Sequence, residues 1–335
     1  MPKPTPKLSP ETRLFVGTHC GCDPASLEVQ PVSGGYSRNV RALLGRGDTW
    51  VFAKEVDLSV LPGDGVDELS WLRKDYDVVE TLRKKCPDVV PEWSMLLDDG
   101  HTLLLPAYRA EDGWVWSPPH DDADVRQYVD SIVKRIVELE GVELDVEEVD
   151  KLRAAPHFRD KLALDGGMDA IIADVSTKDR LKQKYVEMLE YSDNSQVNCA
   201  IHRMVMVLDD AQKLQQLSDE ARSFAAQPND SLGHCDVRSD NIAYNVRTGD
   251  ARFVDWNWMS YTPKLMGSTE FLIDMARRGI DVEPWATYLN PEMLAAVVGF
   301  YAKRCLDEPL APGNTLRVMQ AESAAIALIL HDLVA

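Results

Sequence analysis

Between His234 and Trp258 the chain reads HCDVRSDNIAYNVRTGDARFVDWNW, and three residues in it have types and spacing that could do chemistry. Asp236 is followed five residues later by Asn241. A turn around Thr248-Gly249-Asp250 and a short apolar run, Arg252-Phe253-Val254, then deliver Asp255. A tight hairpin returns its far end to its start, so two carboxylates and one amide can gather around a divalent cation and a reacting hydroxyl. Mg²⁺ takes a few hard oxygen ligands and completes its shell with substrate phosphates, which suits Asn241 and Asp255 as metal ligands. Asp236 is left to accept a proton or orient a nucleophile. Such a set suits phosphoryl transfer, where positioning and charge stabilisation do most of the work.

That chemistry needs elements to hold the phosphates and the metal. Leu27-Glu-Val-Gln-Pro-Val and Val40-Arg-Ala-Leu-Leu read as strands joined by Ser33-Gly34-Gly35-Tyr36-Ser37-Arg38-Asn39. A Gly-Gly loop has little side-chain bulk and free backbone N–H groups, so it can lie over phosphates; a plain hairpin turn is the alternative. Trp50 to Val56 is a further strand with Lys54 inside it. An ammonium there either has an anionic partner or sits on an edge strand facing water. Leu-Pro-Gly-Asp-Gly at 61–65 breaks the chain, and a helix is predicted from about Val66 to Lys85, with Leu69, Leu72, Tyr76, Val79 and Leu82 on one stripe. Glu68 and Asp75 fall inside that stripe, whereas Asp77 points away. A carboxylate there needs a cationic partner, for which Lys54 is the natural candidate. His101 to Tyr108 reads as another strand.

Composition bounds the rest. The 335 residues are 45% apolar and 27% charged, a globular balance with room for one large or two modest domains. Lys and Arg number 36 against 55 Asp and Glu, a net charge of −19. That argues against nucleic acid or an anionic membrane as the main partner and is compatible with a cationic substrate, solubility or a general acidic bias being the plainer reading. There is no apolar run of spanning length, and Met1-Pro-Lys-Pro-Thr-Pro is no secretory leader. Six scattered cysteines fit a reducing cytoplasm. His19-Cys20-Gly21-Cys22 lacks a second pair at finger-like spacing and reads as two thiols in a turn rather than a zinc site. Residues 1–12 are Pro-rich and read as a loose tail. Beyond Pro119 the pattern is helical: an amphipathic helix through Val125, Tyr128, Ile132 and Leu139, an acidic run at 143–150, helices near 178–190 and 196–225, and two more in the last 45 or so residues. Trp114 and Trp116 are either a substrate wall or a packing plug.

His234-x-Asp236-x-x-x-x-Asn241 followed by Val254-Asp255-Trp256 resembles the aminoglycoside phosphotransferase family, the choline-kinase-like small-molecule kinases. The resemblance spans roughly residues 27–280. It implies an α+β, protein-kinase-like two-lobe fold. Residues 1–105 would form a small N-terminal nucleotide-binding lobe, an antiparallel β-sheet with one helix. Residues 106–335 would form a larger, mainly helical catalytic and substrate-binding lobe. By the same resemblance, Lys54 and the loop Ser33, Gly34, Gly35, Tyr36 and Ser37 hold the phosphates of ATP or GTP. Asp75, in the run Arg73-Lys74-Asp75-Tyr76-Asp77, pairs with Lys54, with Glu68 in reserve. Leu105 and Ala107 belong to a hinge that offers backbone groups to the base, with Leu103 and Leu105 as apolar walls. Asn241 and Asp255 hold Mg²⁺, and Asp236 is the catalytic residue. Asp274, in Gly267-Ser-Thr-Glu-Phe-Leu-Ile-Asp274, braces the catalytic loop. Arg238 contacts either phosphate or substrate, or merely a neighbouring carboxylate, the last being preferred. The implied activity moves the γ-phosphate to a hydroxyl of a small molecule, such as an aminoglycoside-like antibiotic, an amino alcohol or a sugar. The alternative is a nucleotide-binding pseudoenzyme acting as an interaction scaffold. Two departures stand out: Cys235 replaces the usual Gly after His, and Asp255 is followed by Trp, with no A-P-E segment beyond it.

Overall fold

The computed structural model describes residues 8–32, 39–56, 66–97, 100–152, 162, 167–190, 193–309 and 314–335. The chain divides into two compact units. The first comprises 1–138, 142–154 and 240–259; the second comprises 139–141, 155–239 and 260–335. The first unit thus includes the segment that follows residue 105, as far as 138, and the Asn241–Asp255 hairpin.

The first unit is built on a five-stranded antiparallel sheet. Its strands are β1 (Glu28–Pro31), β2 (Val40–Arg46), β3 (Thr49–Glu55), β4 (Met95–Leu96) and β5 (Thr102–Pro106), in the order β1-β2-β3-β5-β4. Alternation along β5 sorts its leucines by face. Leu104 joins Leu44, Val51 and Ala53 in one core cluster, while Leu103 and Leu105 join Val56 and Leu72 in the other. Two helices pack on this sheet. The first, α1 (Pro10–His19), begins inside the stretch expected to be a loose tail. Ser9 caps it and Pro10 stands at its first turn, while Ser9 N–H and Thr12 Oγ1 donate to the Glu55 carboxylate at 3.0 and 2.7 Å. The Cys20–Cys22 segment is a turn after it, with both thiols free. The second, α2 (Val66–Lys85), runs over the residues its apolar stripe predicts, and Leu72, Val79 and Leu82 are fully buried. Also in this unit, β6 (Trp114–Val115), β8 (Ile242–Asn245) and β9 (Ala251–Phe253) form a small antiparallel sheet. Helix α3 (Asp122–Glu140) follows β6. Trp114 and Trp116 pack on Tyr108, with ring centroids 4.4 and 6.3 Å away.

The second unit is mainly helical. It contains α5 (Gly167–Ala173), α6 (Val175–Leu189), α7 (Ser195–Val207), α8 (Ala211–Ala226), α9 (Met266–Arg277), α10 (Pro291–Arg304) and α11 (Leu316–Val334), α4 (Val146–Leu152) belonging to the first unit. A two-stranded sheet of β7 (Ser231–Gly233) and β10 (Ser260–Thr262) completes it. The helix expected over 196–225 is two helices: Asp210 accepts from Lys213 N–H and starts α8 as an N-cap, which ends the periodicity that had looked continuous. Among the described residues no helix is long and apolar enough to cross a membrane.

Candidate active site

Lys54 lies on β3, opposite Arg41 of β2 and Leu103 of β5, so it sits on a central strand and not on an edge. Its side chain is 5% exposed, and its Nζ donates to Asp75 Oδ2 at 3.2 Å and to Asp255 Oδ1 at 2.7 Å. Asp75 comes from the buried stripe of α2, and its other oxygen accepts from Trp256 N–H at 3.1 Å. Of the two carboxylates the sequence left open, Asp75 is the one paired with Lys54. Burial works against the Lys54 ammonium, but the charges of Asp255 and Asp75 outweigh it and raise its pKa. Burial pushes Asp75 up, with the Asp255 charge adding to the effect and Lys54 opposing it.

The β8–β9 hairpin places the two expected metal ligands at one end. Ile242 pairs with Phe253, and Val254 N–H donates to the Asn241 carbonyl at 3.0 Å, so Asn241 and Asp255 follow from a single register. At the other end Asn245 accepts from Arg247 and Thr248 N–H, and Gly249 has φ +77, which closes the turn. Asp255 itself has φ 67 and ψ 54, a left-handed conformation that Asp tolerates better than most residues. It opens the short helical turn Trp256–Trp258 without capping it, which leaves its carboxylate to Lys54. The Asp255 side chain is 30% exposed, in contrast to 2% for Asp75. Thus one member of the acid–lysine–acid trio can still meet a ligand.

Asn241 and Asp255 supply hard oxygen donors of the kind Mg²⁺ takes, with shell positions left for phosphate oxygens. No group of three or more His, Cys, Asp or Glu side chains among the described residues is arranged to hold a metal by itself. The expected phosphate loop, Ser33, Gly34, Gly35, Tyr36 and Ser37, lies outside the described residues. Leu105 is buried in the core beside Leu103 and Val56, which accounts for its apolar type without a ligand. Ala107 follows β5 and is partly exposed.

Asp236 belongs to the second unit. Arg238 Nη1 donates to its Oδ1 at 2.7 Å, the neighbouring-carboxylate contact expected of that arginine. Helix α9 holds the segment through two acids one turn apart. Asp274 Oδ2 accepts from Ser239 N–H at 3.0 Å and Ser239 Oγ at 2.7 Å, and Glu270 accepts from Val237 N–H at 3.3 Å. Asp274 is thus the brace the sequence pointed to. Burial would raise its pKa, but Arg278, Arg277 and the Ser239 donors prevail and hold it below the usual carboxylate range. Replacing Asp274 by Asn removes the charge that two arginines and a buried loop segment share. We expect a loss of about 2 kcal/mol in urea unfolding, since hydrogen bonds to charged groups contribute about 1.5–3. Because its folded pKa is depressed, the wild-type contribution is present above the ordinary Asp pKa and fades as pH falls through the folded value.

Glu270 is the residue that sequence reasoning passed over. It stands four residues before Asp274 on the same helix face, a spacing that could have revealed it. Burial first, and then the charge of Asp236, push its carboxyl up to about 8, against the opposing Val237 N–H and Arg238.

Cys235 has φ 64 and is 2% exposed, so the position that usually holds Gly keeps a left-handed backbone here. For a non-Gly residue this costs about 1–2 kcal/mol. Cys235→Gly relieves that strain but loosens the unfolded chain by about 0.4–1 kcal/mol and loses the packed thiol. It should therefore change stability by less than about 1 kcal/mol, whereas β-branched Cys235→Val should cost about 2 or more, read from urea midpoints.

No protein-family profile matches the sequence, and no curated protein sequence matches it. Solved structures do. A thermostable mutant of aminoglycoside phosphotransferase APH(4)-Ia is similar with a TM-score of 0.52 at 13% identity, over 97% of each chain. A candidate aminoglycoside phosphotransferase of Ralstonia eutropha JMP134 is similar with a TM-score of 0.51 at 12% identity, again over 97% of each chain. Over nearly its whole length the chain therefore has the fold of the aminoglycoside phosphotransferases, as the motif resemblance implied.

Proposed function

We propose that the protein is a Mg²⁺-dependent phosphotransferase that moves the γ-phosphate of ATP or GTP to a hydroxyl of a small molecule. The observation that carries this reading is Lys54 held between Asp75 and Asp255, a buried cation with one buried and one accessible acid. A purely structural pair needs no third, part-exposed carboxylate, and a buried lysine with two acids leaves a surplus negative charge that a metal–phosphate complex would offset.

In this reading Lys54 holds the nucleotide phosphates and Asp75 keeps its ammonium charged and aimed. Asn241 and Asp255 hold the metal, which when bound supplies positive charge against the phosphate oxygens. The acceptor oxygen forms its bond to the γ-phosphorus as the bond to the bridging oxygen breaks, and the hydroxyl proton passes to Asp236. Arg238 and Val237, tied to Asp236 and Glu270, keep the accepting carboxylate in place. The test is release of nucleoside diphosphate, with and without Mg²⁺, across a panel of hydroxyl compounds and with ATP and GTP in parallel. Acceptor-stimulated, Mg²⁺-dependent release supports the proposal; tight nucleotide binding with no release on any acceptor overturns it in favour of a nucleotide-binding scaffold.

A further inference from the structure

Three side chains of α2 reach one short segment of the same unit, the turn Trp256–Trp258 that Asp255 opens and the residue after it. Trp71, Lys74 and Asp75 stand at i, i+3 and i+4 and so share a side of the helix. Asp75 Oδ1 accepts from Trp256 N–H at 3.1 Å, at the start of the turn. Lys74 Nζ donates to the Met259 carbonyl at 2.7 Å, just past its end. The Trp71 ring packs on that of Trp258, with centroids 6.0 Å apart. Lys74 is one of two buried lysines among the described residues, the other being Lys54. Taking an ammonium out of water is unfavourable, so packing alone would be better served by an apolar side chain at this position.

On the reading of this protein as a metal-dependent phosphotransferase, we propose that Lys74 is a positioning residue for the metal ligand Asp255. An aspartate that opens a helical turn ordinarily caps it with its own carboxylate. Asp255 does not: it holds a left-handed backbone, φ 67 and ψ 54, and its carboxylate goes to Lys54. The caps come from α2 instead. Asp75 supplies an acid at the N–H end of the turn and Lys74 a cation at the carbonyl end, the signs that the backbone dipoles favour. With both ends held, the direction of the Asp255 carboxylate is set by α2 as well as by the hairpin. Asp75 also binds Lys54, so the same helix aligns the lysine with the turn that carries the metal ligand. Groups hydrogen-bonded behind metal ligands orient them, and losing one weakens metal binding about 10–100-fold. Lys74 acts one step further back, through the main chain of the turn, which puts its expected effect at the lower end of that range.

The test is Mn²⁺ binding to the full-length protein in the presence of ADP or GDP, read from the EPR signal of the unbound ion. Nucleotide affinity is measured without metal in parallel. Lys74→Met keeps the stem and removes the donor. It should weaken Mn²⁺ binding about tenfold and leave metal-free nucleotide affinity nearly unchanged, because Lys54 and Asp75 are untouched. In turnover the Mg²⁺ requirement should rise while kcat at saturating Mg²⁺ changes little. Lys74→Arg, which can still donate to the Met259 carbonyl, should recover most of the loss. A merely packing role predicts the reverse order, with Met tolerated and Arg not. Unchanged Mn²⁺ affinity in Lys74→Met, an equal loss in Lys74→Arg, or an equal loss of metal-free nucleotide affinity overturns the inference. If Lys74→Met does not fold, Trp71→Leu decides. It removes the contact with Trp258 from an exposed position and should weaken Mn²⁺ binding by a smaller factor; unchanged affinity overturns the inference. No Mn²⁺ bound by the wild-type protein with either nucleotide would instead overturn the phosphotransferase reading, and this inference with it.

Discussion

Asp236→Asn should lower acceptor-stimulated turnover by a factor of about 10²–10⁴, the usual span for removing a positioned proton acceptor. That corresponds to about 3–5 kcal/mol of lost transition-state stabilisation, at about 1.4 kcal/mol per tenfold. The amide keeps the size of the carboxylate and an oxygen to accept from Arg238, so the 2.7 Å contact can persist in weaker, uncharged form. What it loses is the ability to take the proton and to hold the nucleophile by charge. Nucleotide affinity should be nearly unchanged, because Lys54, Asp75, Asn241 and Asp255 all belong to the first unit and Asp236 to the second. Turnover and nucleotide Kd measured on one preparation separate these effects. An unchanged rate would remove Asp236 from its role, and a large rise in nucleotide Kd would mean that the variant disturbs more than proton transfer.

Much of this arrangement was legible because local chemistry and register agree. The 66–85 helix was readable from a Pro-Gly break and an apolar stripe, and the same stripe exposed Asp75 as a carboxylate in the wrong place for water. The placing of Asn241 and Asp255 at one end of the hairpin follows from its register and from turn residues that declare themselves in sequence. Other features were written in the chain but outweighed. Ser9-Pro10-Glu11 is a helix start, yet the prolines before it made the whole stretch look like a tail. Asp210 is a helix start too, hidden because the apolar spacing on either side of it continues without a phase break. The division into units was not legible at all, because it depends on which segments distant in sequence share contacts. Glu270 was missed for a related reason: its type is ordinary on a helix, and only burial beside Asp236 changes its chemistry.

The burial of Lys54 leads to the second large effect. Lys54→Met should destabilise the first unit by about 3–5 kcal/mol, because it leaves Asp75 without its counter-charge in a site where the carboxylate has almost no access to water. Asp255 contributes to the cost: it raises the Asp75 pKa, and without the lysine the two acids face each other unscreened. The escape is protonation of Asp75, which burial already favours, so the loss should grow as pH rises and shrink as it falls. This assigns the penalty to a stranded charge rather than to missing packing, since Met fills much of the lysine stem. A second substitution tests that assignment. Asp75→Asn removes the stranded charge and keeps an acceptor for Trp256 N–H, so Lys54→Met with Asp75→Asn should recover most of the stability in a double-mutant cycle of urea unfolding. It should recover none of the turnover, because the phosphates still lack their cation. A single Lys54→Met variant as stable as wild type at neutral pH would show that Lys54 and Asp75 do not form the charged pair on which the proposed nucleotide binding rests.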